Sequence, residues 1–139
     1  MSKESLVTNQ GLEFVKEELA VLKTVNCQQI ATVLKIFEEQ EDFYIVMELF
    51  ELGDLEKVVE DLYSEDGGGV TEPMVQYILK QLFIGLNYLH SQGICHRDVK
   101  TQNICVDKIR PYTSDSSNEK KLMIKLIDFG YAQSREEVD

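Results

Sequence analysis

The chain has 139 residues, of which 43% are hydrophobic and 28% charged, and a formal net charge of -11. This composition fits one small globular domain and excludes disordered, fibrous and collagen-like chains. The acidity argues against a nucleic-acid backbone or an anionic membrane as the main partner; it lies in residues 1–93 (6 Lys/Arg, 17 Asp/Glu), whereas 94–139 balance 8 with 8, so an anionic ligand should meet the second part.

The N-terminal "MSKESLVTNQ" is polar and is not a signal peptide. Residues 12–25 place Leu12, Val15, Leu19, Leu22 and Val25 at helical spacing with charges between them, which predicts an amphipathic helix. "IATVLKIF" (30–37) and "FYIVMELF" (43–50) are rich in β-branched and aromatic residues. They flank a polar "EEQED" and predict a hairpin. Gly53-Asp54 opens a short helix, "DLEKVVEDLY", with Asp54 as N-cap. "SEDGGG" reads as a loop; no strand feeds it and no G-K-[ST] follows, so it does not read as a phosphate loop. Thr71 then caps a helix of about 20 residues, with Pro73 in its first turn and Gly93 at its end. Its apolar positions Val75, Ile78, Leu79, Leu82, Phe83, Leu86 and Leu89 form a wide stripe that predicts burial against several partners.

"HRDVKTQN" (96–103) follows, then a short apolar strand, a polar connection "DKIRPYTSDSSNEKK", and a second strand "LMIKLIDFG". Three cysteines, Cys27, Cys95 and Cys105, form no C-x-x-C, so a disulfide framework is not expected, and Cys95 beside His96 lacks the second pair a zinc site needs. No apolar run approaches the roughly 20 residues needed to cross a bilayer. A reducing, cytoplasmic setting is the expectation.

The chemistry concentrates at the two last strands. Taken as a hairpin over 103–107 and 122–128, they bring Asn103 and Asp128 to one end. An amide oxygen and a carboxylate there are hard ligands suited to Mg2+ rather than zinc. Asp98 precedes them on the loop and can orient a hydroxyl and accept its proton. Lys100 can neutralise charge on a transferring group. These are the parts of phosphoryl transfer to an alcohol.

H-R-D-x-K-x-x-N followed by D-F-G resembles the catalytic core of the eukaryotic protein kinases. The resemblance extends over nearly the whole chain: "KEELAVLK" is similar to the αC helix, "YIVMELFELGDL" to the fifth strand and hinge, and "YLHSQGICHRD" to the end of αE. It implies an α+β, partial protein kinase-like fold comprising αC, the fourth and fifth strands, hinge, αD, αE, catalytic loop, and the seventh and eighth strands. Residues 1–47 would be the remnant of the N-lobe, 48–54 the hinge and 55–139 the first part of the C-lobe.

Carried onto this sequence, the resemblance implies Asp98 as the base that orients the substrate hydroxyl, Lys100 on the γ-phosphate, and Asn103 and Asp128 on magnesium. It implies Glu18 as the ion-pairing glutamate of αC and Met47 as gatekeeper. The backbones of Glu48 and Phe50 would read the adenine edge, Asp54 would reach the ribose, and Cys105 would pack against the adenine. His96, Phe129, Leu22 and Val33 would stack as an internal spine. Lys100 looks like a Ser/Thr kinase. "HRDVKTQN" is similar to the NIMA-related kinases; "IKLIDFG" after a long polar insert is more like the calcium/calmodulin-dependent and calcium-dependent group. The implied cofactors are ATP and Mg2+ and the implied partner is a protein substrate, with no nucleic acid and no membrane.

The sequence has no G-x-G-x-x-G, no third-strand Lys upstream of Glu18, and no A-P-E. The expectation is that Met1 is an internal methionine of a longer reading frame, that the helical stripe over 75–89 lacks its later partners, and that the chain alone is marginally stable and weak as a catalyst. The alternative is a truncated, inactive kinase-like protein acting as an interaction module.

Overall fold

The structure, a computed structural model, describes residues 25–38, 43–66, 69–111, 120–129 and 132–134. The expected helix over 12–25, with Glu18 and Leu22, lies outside these residues apart from Val25, as do Gly130 and the tip of the polar connection. The chain divides into two compact units: one includes Ala31–Leu49, the other Cys27–Ile30 and the chain from Phe50 onward.

The first unit contains a ribbon in which strand β1 (Val33–Glu38) runs antiparallel to β2 (Phe43–Met47), with Ile36 opposite Ile45 and an irregularity between Val33 and Lys35. One more pair extends it: the Glu48 amide donates to the Thr32 carbonyl at 3.2 Å, and the Thr32 amide donates to Glu48 Oε1 at 2.6 Å. Phe37, Tyr44, Ile45 and Val46 remain exposed. The strands are shorter than the apolar runs suggested. Ile30 turns back, its amide bonded to the Cys27 carbonyl at 3.0 Å, and bridges Leu126 in the second unit's own sheet edge instead.

In the second unit, α1 (Leu55–Asp66) starts where expected: Asp54 Oδ1 accepts from the Lys57 amide at 2.9 Å. It continues through Ser64 into the segment expected as loop and buries Leu55, Val58 and Leu62 at helical spacing. Helix α2 (Glu72–Ser91) has Thr71 as N-cap, its side chain accepting from the Met74 amide at 3.4 Å. It ends as Gly93 takes φ 74°, a left-handed conformation that only glycine adopts freely, while the Gly93 amide bonds the His90 carbonyl. The stripe of α2 is only half covered. Met74, Ile78, Gln81, Gly85 and Leu89 face inward, whereas Val75, Leu79 and Phe83, on the adjoining flank, are exposed.

A two-residue strand, β3 (Ile94–Cys95), pairs with β6 (Gln133–Ser134). The main ribbon is β4 (Ile104–Pro111) against β5 (Lys120–Leu126), antiparallel, with Ile104 opposite Leu126 and an irregularity between Val106 and Lys108. It is longer than the sequence suggested, because Lys108–Pro111 and Lys120–Lys121, expected as connection, continue the pairing: Ile109 sits opposite Leu122 and Arg110 opposite Lys121. Alternation explains the length. Leu122, Ile124 and Leu126 are buried on one face, and Lys121, Met123 and Lys125 alternate with them on the other. β5 packs on α2 and β4 on α1, and the burial of Ile104, Val106, Leu122, Ile124 and Leu126 makes this ribbon the core of the unit.

Candidate active site

The site grows from the loop between β3 and β4 and from the chain leaving β5. Asn103 closes a 3-10 turn (Thr101–Asn103) immediately before β4, its amide bonded to the Lys100 carbonyl at 3.0 Å. Its own carbonyl accepts from the Ile127 amide at 2.9 Å, one residue beyond the end of β5. The pairing therefore carries past the strand ends and places Asp128 next along the chain from a group bonded to Asn103. Both residues sit at the same end of the ribbon, as the sequence implied.

Asp98 is the hub of the loop. Its Oδ2 accepts from Lys100 Nζ at 2.7 Å and from Asn103 Nδ2 at 2.8 Å, and its main-chain carbonyl also accepts from Asn103 Nδ2 at 2.9 Å. The hydrogen bond from Lys100 is the main reason the Asp98 carboxyl lies below its ordinary range, with the Asn103 bond acting in the same direction. Asn103 is buried and turns its amide hydrogens onto Asp98, which leaves Oδ1 as its remaining polar atom.

His96 holds this arrangement from below. It is 2% exposed, and its Nδ1 accepts from the Asp98 amide at 3.3 Å. The proton is thus on Nε2, which donates to the Ile127 carbonyl at 3.0 Å. One neutral imidazole bridges the Asp98 loop and the exit of β5. Burial pushes its pKa below the usual value, against the opposing pull of the Ile127 hydrogen bond and of the Asp128 and Asp98 charges. The Phe129 ring packs on it with centroids 5.1 Å apart. Of the expected spine, His96 and Phe129 thus meet; Leu22 lies outside the described residues, and Val33 belongs to the other unit. Arg97 and Asp128, flanking this bridge, are the two non-glycine residues with positive φ among those described, at 65° and 61°.

The residues expected at a nucleotide divide between the units. In the first, Met47 is exposed at the end of β2, and the Glu48 amide is engaged with Thr32. In the second, the Phe50 carbonyl closes a turn onto the Gly53 amide at 3.1 Å. Asp54 caps α1 and bridges Cys105, and the Gly53 carbonyl accepts from the Val106 amide at 3.0 Å, which ties the start of α1 to β4. Cys105 is buried, and that burial, with the charge of Asp54, raises its thiol pKa. It is therefore a neutral packing group rather than a nucleophile.

The donor set fits a hard divalent cation. Asn103 Oδ1 and the Asp128 carboxylate are oxygen ligands at one end of one ribbon, few enough to leave coordination positions to phosphate and water, as Mg2+ requires. Among the described residues no group of three or more His, Cys, Asp or Glu forms a metal cage. Sequence reasoning did not single out Gln81. It is 5% exposed on the inner face of α2 and bonds the backbone of β5. Its signal was a polar position within the inward stripe between Ile78 and Gly85.

Comparisons with known proteins concern the chain as a whole rather than these single residues. The family model described as protein kinase domain matches residues 1–138. Serine/threonine-protein kinase 33 of Mus musculus is 35% identical over 122 residues, 88% of this chain and 23% of that protein. Calcium-dependent protein kinase 3 of Plasmodium yoelii yoelii is 33% identical over 125 residues, covering 89% and 20% respectively. The crystal structure of Rad53 1-466 in complex with AMP-PNP superimposes with a TM-score of 0.68 at 30% identity, over 94% of this chain and 29% of that one. The chain spans less than a quarter of the length of the curated relatives named.

Proposed function

We propose a function from one premise: the chain belongs to the protein kinase domain family. The function is that of a serine/threonine protein kinase, moving the γ-phosphoryl group of ATP to a Ser or Thr hydroxyl of a protein substrate. The observation that carries this reading is the cluster in which one oxygen of Asp98 receives both Lys100 and Asn103. That engagement fixes the carboxylate plane and leaves Oδ1 to meet an incoming hydroxyl. Because the Asp98 pKa is lowered, the group is ionised at neutral pH. It orients the hydroxyl as a hydrogen-bond acceptor and takes its proton late, as the oxygen–phosphorus bond forms.

Lys100 sits on the same carboxylate, where its ammonium can follow charge onto the transferring phosphoryl oxygens. Asn103 Oδ1 and Asp128 would hold Mg2+, which supplies charge neutralisation of the phosphates when bound. Met47, the backbones of Glu48 and Phe50, Asp54 and Cys105 are the proposed nucleotide contacts. The AMP-PNP in the Rad53 structure supports the choice of nucleotide, and the likeness to a calcium-dependent kinase supports the same group for this chain. Residues 1–47 are proposed as N-lobe, 48–54 as hinge and 55–139 as C-lobe.

A thermal-shift measurement with ATP tests the reading. The expected result is a rise in melting temperature that requires both ATP and Mg2+, and that Asp128→Ala abolishes. No shift at millimolar ATP and Mg2+ would overturn it in favour of a non-catalytic interaction module.

A further inference from the structure

We infer that Gln81 is a positioning residue for Asp128: its side chain stands in for a missing strand along the free edge of β5 and fixes where that strand delivers the carboxylate. The inference rests on the kinase reading for the purpose of the carboxylate, but not for the placement itself. Among the described residues, strand β5 has only β4 as a strand neighbour. Its other edge presents the Leu122 carbonyl and the Ile124 and Leu126 amides, which point the same way because alternate residues of a strand do. Gln81 Nε2 donates to the Leu122 carbonyl at 2.8 Å, and Gln81 Oε1 accepts from the Ile124 amide at 3.2 Å. The Leu126 amide donates in turn to the Gln29 carbonyl at 2.8 Å.

A primary amide offers one donor and one acceptor side by side, the complement of what a strand edge presents. Gln81 reads both and so locks β5 along its own axis, not merely against the helix. An apolar residue would fill the space but leave the strand free to slide or twist. Nε2 also reaches the Tyr77 carbonyl at 3.2 Å, one turn back on α2, which holds the amide in its orientation. Four residues further along, Gly85 keeps the same face open: a Cβ there would lie 3.3 Å from Gln29 Cβ and 3.4 Å from the Gln29 carbonyl oxygen. Gln81 and the Gln29 backbone therefore cover the edge in sequence, up to the residue before Ile127, whose amide bonds Asn103 on the opposite side. Asp128, in a left-handed conformation, follows directly. Its position depends on this register.

The test compares Gln81→Leu, Gln81→Glu and, as a control on the same buried face, Met74→Ala. Amide hydrogen exchange read by mass spectrometry over residues 122–128 is the first measurement. The second is AMP-PNP affinity as a function of Mg2+ concentration. Gln81→Leu should speed exchange over 122–128 by about tenfold or more, as expected when buried backbone partners are lost, and leave α1 unchanged. It should also raise the Mg2+ concentration for half-maximal AMP-PNP binding while leaving metal-free affinity as in wild type. Gln81→Glu, which keeps the acceptor for Ile124 and loses the donor for Leu122, should fall between; it carries the comparison if the Leu variant does not fold. Met74→Ala should reproduce neither effect. Wild-type protection over 122–128 in the Gln81 variants, or the same changes in Met74→Ala, would overturn the inference. Wild-type protein that binds AMP-PNP without regard to Mg2+ would instead refute the kinase reading, with the exchange result still deciding whether Gln81 fixes this end of β5.

Discussion

The two longer antiparallel ribbons among the described residues, β1–β2 and β4–β5, are built by the same local rules, and they end differently. In β1–β2, Phe37, Tyr44, Ile45 and Val46 are exposed; in β4–β5, Ile104, Val106, Leu122, Ile124 and Leu126 are buried. Both contain an irregularity in register, so strand pairing alone does not separate them. The difference is cover. The second ribbon has a helix on its face and an amide along its free edge, and its end is bridged by His96. A ribbon held on its face, edge and end can deliver side chains to defined positions. The candidate chemistry gathers there.

The largest effect that sharpens the contrast is a pair of truncations. Ile124→Ala should cost about 2–5 kcal/mol of unfolding free energy, as buried large-to-small changes do, if urea melts are compared. Ile45→Ala, on the exposed ribbon, should stay within about 0.5 kcal/mol. Equal losses would break the contrast.

A smaller effect is pH-dependent and belongs to the second ribbon alone. The folded-state pKa of His96 lies below its ordinary 6.5, so the unfolded chain binds the proton more readily. His96 therefore contributes stability that is present above pH 6.5 and is lost as pH falls through its lowered pKa. Asp98 adds a loss of the same sign beginning below its ordinary 3.8. The groups around the imidazole, Asp98 and Asp128, oppose the shift of His96 without reversing it. In urea melts taken from pH 7 downward, stability should begin to fall near 6.5. His96→Phe should flatten this upper step at a lower overall stability. A wild-type chain with no loss in that range would refute the neutral-imidazole bridge.

The smallest effect is on the uncovered flank of α2. Phe83→Ser, at a side chain 62% exposed, should change unfolding free energy by no more than about 0.5 kcal/mol. Sedimentation should show less self-association in this variant than in wild type, since a contiguous apolar flank promotes contact between copies.

Much of this was legible in the residues. Thr71, Pro73 and Gly93 marked α2 at both ends, and Asp54 marked the start of α1, because caps are local chemistry. The Asn103 and Asp128 end was legible because antiparallel pairing carries two distant positions to one place. The length of β4–β5 was not. Lys108, Arg110, Lys120 and Lys121 resemble a solvated connection in composition; only the alternation around Ile109 and Leu122 indicates a strand with one wet face. The burial of α2 was half legible, since a wide stripe states which positions want cover and not which obtain it. Gln81 was passed over for a related reason: a lone polar residue in an apolar stripe is a signal, but it acquires meaning only from the strand edge it meets.

The left-handed backbone at Arg97 and Asp128 has its own consequence. For residues with a Cβ this geometry costs on the order of 1–2 kcal/mol, somewhat less for Asp. Glycine would relieve it. A sequence optimised only for persistence would thus drift toward glycine at both positions, and a gain in robustness on such a substitution would be a sign that capability had been surrendered. The two angles mark where this molecule is kept short of its most comfortable shape.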